Sequence, residues 1–287
     1  MDCLFCGENR KMTKEHILPR WMRAEFPELA KKPVYSGSRF EYDSPAGNGP
    51  KERIEGGRKQ GGPFTSQAPV VCGSCNDGWM SGLETAVRKP LVQMIKGLPV
   101  ALTPEHQKTV ALWSAMKLMV AYFGKHYGGK RPPLEVIGIE DPRALYRNKA
   151  LGSRMVMALA RYQPAPTQRE PFHRIVFERM DHGGGMHSYQ SVLKVDSFVA
   201  KLIRVAEGLP MHPLPSALHD TLVVHPESGP VQWPPRCDVF AGEEWERYAY
   251  LPDETGVQPR RGQKSPSDVP ESAGLFGCEQ LWHRKYR

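Results

Sequence analysis

The sequence predicts an α+β chain with a small cysteine-bearing unit, a helical middle and a β-rich C-terminal domain. Three observations predict it. Two Cys-x-x-Cys pairs, Cys3/Cys6 and Cys72/Cys75, frame the N-terminal segment. A helical apolar period runs through residues 103–124. From about residue 153, runs of β-branched residues alternate with Gly/Pro turns, which is the pattern of strands.

The elements follow in chain order. "CLFC" reads as a cysteine knuckle, and "TKEHILPRWMRAEFPEL" as a strand or turn leading into a short helix. Residues 33–69 are rich in Gly, Pro, Ser and charge and are expected to form a long surface loop. "APVVC" is a short strand. "CNDGWMSGLETAVRK" is a helix with Trp79, Leu83 and Val87 on one face, which Pro90 is expected to end or kink. The next helix has Thr103 as N-cap, Pro104 at its first position and Gly124 as its stop. Its stripe of Leu112, Met116, Met119, Val120 and Phe123 faces a core. "RMVMALARY", "HRIVFERM", "YQSVLKVDSFVAKLIRV" and "DTLVVHP" are the strands that follow. The expected division is 1–98 for the first unit, 99–252 for an α+β accessory or regulatory domain, and 253–287 for a flexible tail of disorder-like composition.

Bulk properties narrow the function classes. The 287 residues are 40% apolar and 24% charged, the balance of a globular protein. The longest apolar run, 110–123, is shorter than a membrane span and is broken by Ser114 and Lys117. The N-terminus lacks a secretory apolar region, so a cytoplasmic location is expected. Lys and Arg number 39 against 31 Asp and Glu, a formal charge of +8, which suits a polyanionic partner.

Six cysteines, four of them in CxxC pairs, point to metal or redox chemistry. Four thiolates suit a closed tetrahedral Zn²⁺ site. The redox alternative requires a thioredoxin-like context that neither pair has. The 65 residues between the pairs (7–71) far exceed the spacing of a compact ribbon, and the Gly/Pro-rich loop accounts for them. Cys237 and Cys278 have no partner at useful spacing and read as ordinary thiols.

Between the pairs stands Glu15-His16, and Asn76 follows Cys75 directly. A hard divalent cation takes oxygen ligands, which a Glu15 carboxylate and an Asn76 carboxamide supply. An imidazole at His16 titrates near neutrality and suits proton abstraction from water. The bland readings are a solvated turn for Glu15-His16 and a helix N-cap for Asn76. Trp21 and Trp79 read as core anchors. Lys11, Lys14, Arg20 and Arg23, with Arg10, surround the dipeptide as phosphate contacts or as solvated surface charge. The remaining histidines show no ligand spacing.

"CLFC", "KEHILPRW" and "VVCGSCNDGWMSGLE" together resemble the zinc-containing members of the HNH (His-Me finger, ββα-metal) endonuclease family, over roughly residues 1–90. The resemblance implies a β-hairpin packed on a helix, with His16 on the first strand and Asn76 at the helix start. It implies structural zinc on Cys3, Cys6, Cys72 and Cys75, catalytic Mg²⁺ or Mn²⁺ on Glu15 and Asn76, and His16 as general base. Two departures stand out. The commoner first ligand is Asp or His, and the family's middle Asn has no counterpart before Cys72, where Gln67, Ser66 or Thr65 could substitute.

The expected function is therefore metal-dependent hydrolysis of nucleic-acid phosphodiester bonds, with DNA as the first partner, no membrane, and a homodimer as an allowed assembly. Two alternatives are carried. One is a non-catalytic zinc module that binds nucleic acid or protein. The other is an RNase or signal-activated defence effector.

Overall fold

A computed structural model of the protein describes residues 1–30, 34–36, 58–60, 64–126, 136–163, 173–182, 186–210, 221–227, 229–235 and 239–240. The expected tail 253–287, the loop outside 34–36 and 58–60 up to residue 63, and Cys237 and Cys278 lie outside the described residues.

The chain starts with a knuckle in which Gly7 takes φ +74°, a conformation that suits glycine, while its N–H donates to the Cys3 carbonyl. Strand β1 (Met12–His16) pairs antiparallel with β4 (Gln67–Cys72), placing Met12 opposite Cys72, Glu15 opposite Ala68 and His16 opposite Gln67. The register shifts between Thr13 and Glu15, where β4 carries one extra residue. Pro69 falls in that bulge, where the missing N–H costs no ladder bond. Between these strands lie two short helices, α1 (Met22–Glu25) and α2 (Pro27–Ala30). A small ribbon also lies there, β2 (Val34–Ser36) on β3 (Arg58–Gln60). The segment read as loop 33–69 thus carries strand structure where it is described.

After β4 the backbone turns helical at once. Helix α3 (Gly73–Cys75) leads through a wide turn, Asn76–Met80, into α4 (Ser81–Ile95), with Gly78 off helical geometry at ψ −109°. Pro90 does not end α4: it sits inside the helix, buried, and the helix runs on to Ile95. Burial of Val87, Leu91 and Met94 on this face offsets the one backbone bond that proline removes.

Strand β5 (Val100–Leu102) pairs with β11 (Val231–Trp233), tying the C-terminal part to the middle. Helix α5 (Pro104–His126) begins as its sequence predicts, with Thr103 Oγ1 accepting from the His106 N–H at 3.2 Å. It runs past Gly124. Residues 110–123 of α5 are all buried. Helix α6 (Glu140–Asn148) closes on Lys149 in the left-handed region.

The remaining strands are β6 (Met155–Gln163), β7 (His173–Asp181), β8 (His187–Val195), β9 (Phe198–Arg204), β10 (Leu222–His225) and β12 (Val239–Phe240). They form a six-stranded sheet, ordered β10-β6-β9-β8-β7, with β12 alongside β6 in parallel. Met157, Leu159, Leu193, Phe198 and Leu202 from one sheet face share a single buried cluster with α5 and with Leu4, Val70 and Leu91 of the N-terminal part. Alternation along the strands explains how one face supplies that core. Helix α5 lies between hairpin and sheet. Among the described residues, no helix is long and apolar enough to cross a membrane.

Candidate functional site

Two cysteines from the knuckle and two from the β4–α3 junction meet. The sulfur atoms of Cys3, Cys6, Cys72 and Cys75 all lie within 4.8 Å of one another, a cluster that can hold a metal ion such as zinc. A tetrahedron of about 2.3 Å Zn–S bonds has edges of about 3.8 Å. Cys6 Sγ and Cys72 Sγ are 3.8 Å apart. The Cys72 N–H donates to Cys3 Sγ at 3.3 Å, a bond that favours the thiolate. The Cys3 thiol is lowered to about 4, first by the hydrogen bond from Cys75, with backbone N–H groups adding to it. Cys75 and Cys6 are pushed up, Cys75 chiefly by its bond to Cys3 and Cys6 by burial. Thiols this close cannot all ionise without a cation among them. The donor set fits zinc.

The knuckle is supported on its outer side. Phe5 meets Trp79 edge-on at 5.0 Å, and Trp79 also contacts Tyr146 at 5.7 Å. The Lys149 ammonium lies over both the Trp79 and Tyr146 rings, at 4.6 and 3.4 Å. Trp21 packs at the core edge under Arg88, whose guanidinium is 5.5 Å from the ring centre.

Thr13 links the hairpin to the turn after the cysteines. Its hydroxyl donates to the Val71 carbonyl at 3.0 Å and accepts from Asn76 Nδ2 at 3.2 Å. Asn76 is not an N-cap: Cys72 takes that position, and Asn76 itself has helical angles. With its amide nitrogen committed to Thr13, the carboxamide oxygen is the end left for a ligand. Thr13 stands two residues before Glu15 on β1, with the ladder irregularity between them.

Glu15 is buried, 6% exposed, against a lysine on α5. Lys117 Nζ, with no exposure at all, donates to Glu15 Oε1 at 2.5 Å, to Glu84 Oε1 at 2.5 Å and to the His16 carbonyl at 3.0 Å. All three ammonium hydrogens are used. Glu84 is raised above the usual carboxylate range, first by burial and further by Glu15, against the attraction of Lys117. Neither Lys117 nor Glu84 carries a site motif in the sequence. The signal available was a lysine at a core position of a helix.

His16 occupies the last position of β1 and leaves the strand on the opposite side from Glu15. Its Nε2 lies 2.8 Å from Gln67 Nε2, the residue directly across the ladder. Of the three candidates for the family's middle position, Gln67 is the one that touches the histidine. Burial lowers the His16 pKa, with Glu15 opposing and Arg20 and Lys117 reinforcing the shift. Among the described residues, no hydrogen bond joins Glu15, His16 and Asn76 to one another. Lys11, Lys14, Arg20 and Arg23 are all exposed. Arg10 is tied down, to Glu8 and, at 2.6 Å, to Ser74.

No protein-family model, no curated protein and no solved structure matches the chain.

Proposed function

We propose that the chain is a metal-dependent endonuclease that hydrolyses nucleic-acid phosphodiester bonds, DNA first. Zinc on Cys3, Cys6, Cys72 and Cys75 is its structural staple, and a divalent Mg²⁺ or Mn²⁺ on Glu15 and Asn76 is its reactive ion. One observation carries this reading. The four-sulfur cluster gathers the knuckle and the β4–α3 junction, and Asn76, directly after Cys75, is hydrogen-bonded to Thr13, two residues before Glu15 on β1. The donors suit the ion: Glu15 keeps one carboxylate oxygen beyond its bond to Lys117, and Asn76 keeps its amide oxygen.

When bound, such an ion supplies charge stabilisation at the phosphate oxygens and the leaving group. The chain's own residues do the rest. His16, kept toward its neutral form by burial, is the base. In the free protein its Nε2 lone pair accepts from Gln67 Nε2. On substrate binding the ring leaves Gln67, turns toward the Glu15 side of β1 and takes the proton of the attacking water on that nitrogen. Lys14 and Arg20, exposed on either side of the dipeptide, hold the phosphate backbone, with Lys11 and Arg23 extending the strip.

Nicking of supercoiled plasmid with Mg²⁺ or Mn²⁺ tests the assignment. Wild type is expected to nick, and His16→Ala to lose about 10²–10⁴-fold in rate. Equal rates in the two proteins reject His16 as the base.

A specific observation favours a second reading. Glu15 is satisfied by Lys117 and His16 by Gln67, as they would be in a zinc-stabilised module that binds nucleic acid or protein without cutting. That reading predicts salt-sensitive DNA binding and no cleavage with any divalent ion. An RNase or signal-activated effector differs in substrate and control, and parallel cleavage of RNA and DNA separates it.

A further inference from the structure

Lys117 is an expensive residue to hold where it is. An ammonium removed from water stabilises a fold no better than a well-packed apolar side chain would, even when it is paired. Its place inside α5, among Leu112, Met116 and Val120, would suit a methionine or leucine. What an apolar residue could not do is bind three acceptors on two other elements. Glu15 Oε1 and the His16 carbonyl belong to β1, and Glu84 Oε1 belongs to α4. The four-sulfur cluster joins the knuckle that precedes β1 to the β4–α3 junction, near Met12 and Cys75. Lys117 joins the same two pieces of chain at the far end, near His16 and Glu84. Between these two clamps lie Glu15 and Asn76.

We propose that Lys117 and Glu84 are positioning residues of the divalent-ion site, holding the Glu15 carboxylate and the strand-to-helix spacing at which Glu15 and Asn76 share one ion. The inference rests on the ligand assignment made above. Lys117 occupies one oxygen of Glu15 and leaves the other for a ligand. Glu84 orients the ammonium from α4. Groups that orient a metal-binding carboxylate in this way matter nearly as much as the ligand itself.

The test uses the zinc-loaded full chain and reads Mn²⁺ binding directly, by the electron paramagnetic resonance signal of the free ion during titration. Wild type, Lys117→Met, Glu84→Ala and the surface control Glu25→Gln are compared, with zinc content and far-ultraviolet circular dichroism recorded for each. Lys117→Met is expected to weaken Mn²⁺ binding about 10–100-fold and Glu84→Ala about tenfold, with zinc retained and Glu25→Gln unchanged. If Lys117→Met loses zinc or folded structure, Glu84→Ala decides, because it removes the acceptor on α4 and leaves Lys117 its bonds to Glu15 and His16. Wild-type or tighter Mn²⁺ binding in a zinc-retaining Glu84→Ala protein overturns the proposal. So does a wild-type chain that binds no Mn²⁺. A wild type that binds Mn²⁺ and nicks nothing removes the nuclease reading alone, and the positioning role is then decided by the binding series.

Discussion

Gly124 is where the approach of α5 to the hairpin can be tested. A Cβ built at this position lies 2.4 Å from Ala68 Cβ and 3.5 Å from Ala68 Cα. Carbon atoms pack best at about 3.5–4.0 Å, so the added methyl would be more than about 1 Å too close to a group with no rotamer to change. Ala68 is fully buried and pairs with Glu15 across the ladder. Lys117 stands two helical turns before Gly124, on the same face of α5. The missing side chain at 124 therefore lets the helix settle where Lys117 reaches Glu15. Overpacking of this kind costs about 1–3 kcal/mol. Alanine's helix propensity over glycine returns up to about 1 kcal/mol, and less so near the helix end. Gly124→Ala is thus expected to lose about 1–2 kcal/mol, a fall in Tm of about 3–6 °C for a chain of this size. Ala68→Gly opens the space, so the double variant should recover most of the loss, and a double-mutant cycle should give a coupling of about 1–3 kcal/mol. Thermal unfolding followed by circular dichroism measures all four proteins. A Gly124→Ala variant with unchanged or raised Tm would mean that propensity governs the site and that α5 does not depend on close contact with β4.

Two further outcomes follow from the same packing. Apparent binding energies of structural zinc sites are about 10–16 kcal/mol, comparable with the whole stability of a domain. Cys72→Ser is therefore expected to abolish zinc in an elemental assay and to expose residues 1–95 to limited proteolysis; retained zinc and wild-type resistance would contradict the cluster. Asp141 accepts from the Tyr189 hydroxyl at 2.9 Å and faces Arg204 at 3.4 Å, yet burial outweighs both and raises its carboxyl above the ordinary 3.8. A raised folded pKa contributes stability below the unfolded value that is lost as pH rises through the folded one. The Tm of wild type relative to Asp141→Asn should accordingly fall as pH rises above the ordinary carboxylate range, and a difference that grows with pH would show Arg204 dominating.

Local chemistry made much of this legible. Thr103-Pro104 starts α5, and the stripe from Leu112 to Phe123 is buried as its spacing predicts, because cap and periodicity are properties of adjacent residues. The strand pattern after residue 153 carries the sheet for the same reason. The four cysteines were readable across a 65-residue gap (7–71) because few residue types form such a cluster. Local rules failed where tertiary packing overrode them. Pro90 remains within α4 because its ring is buried, and Gly124 serves a helix-to-strand approach in place of a helix stop. Asn76 gave up the cap role to Cys72 because the helical backbone begins four residues earlier than an asparagine cap suggests.

Lys117 shows why a site of this kind is only half visible in sequence. Read along the chain, it interrupts an apolar run and argues against a membrane span. In three dimensions it is a charge with no exposure at all and meets a carboxylate 102 residues away. Nothing in the spacing of Glu15, Glu84 and Lys117 marks them as partners, since their meeting depends on the hairpin, the Asn76–Met80 turn and the Gly124 contact all forming first. A charged residue on the core face of an otherwise apolar helix is still a readable sign. Burying it uncompensated would cost several kcal/mol, so the fold must supply acceptors. In this chain the acceptors come from the two segments that carry the candidate ligands, which makes the ion-binding geometry a consequence of how α5 packs.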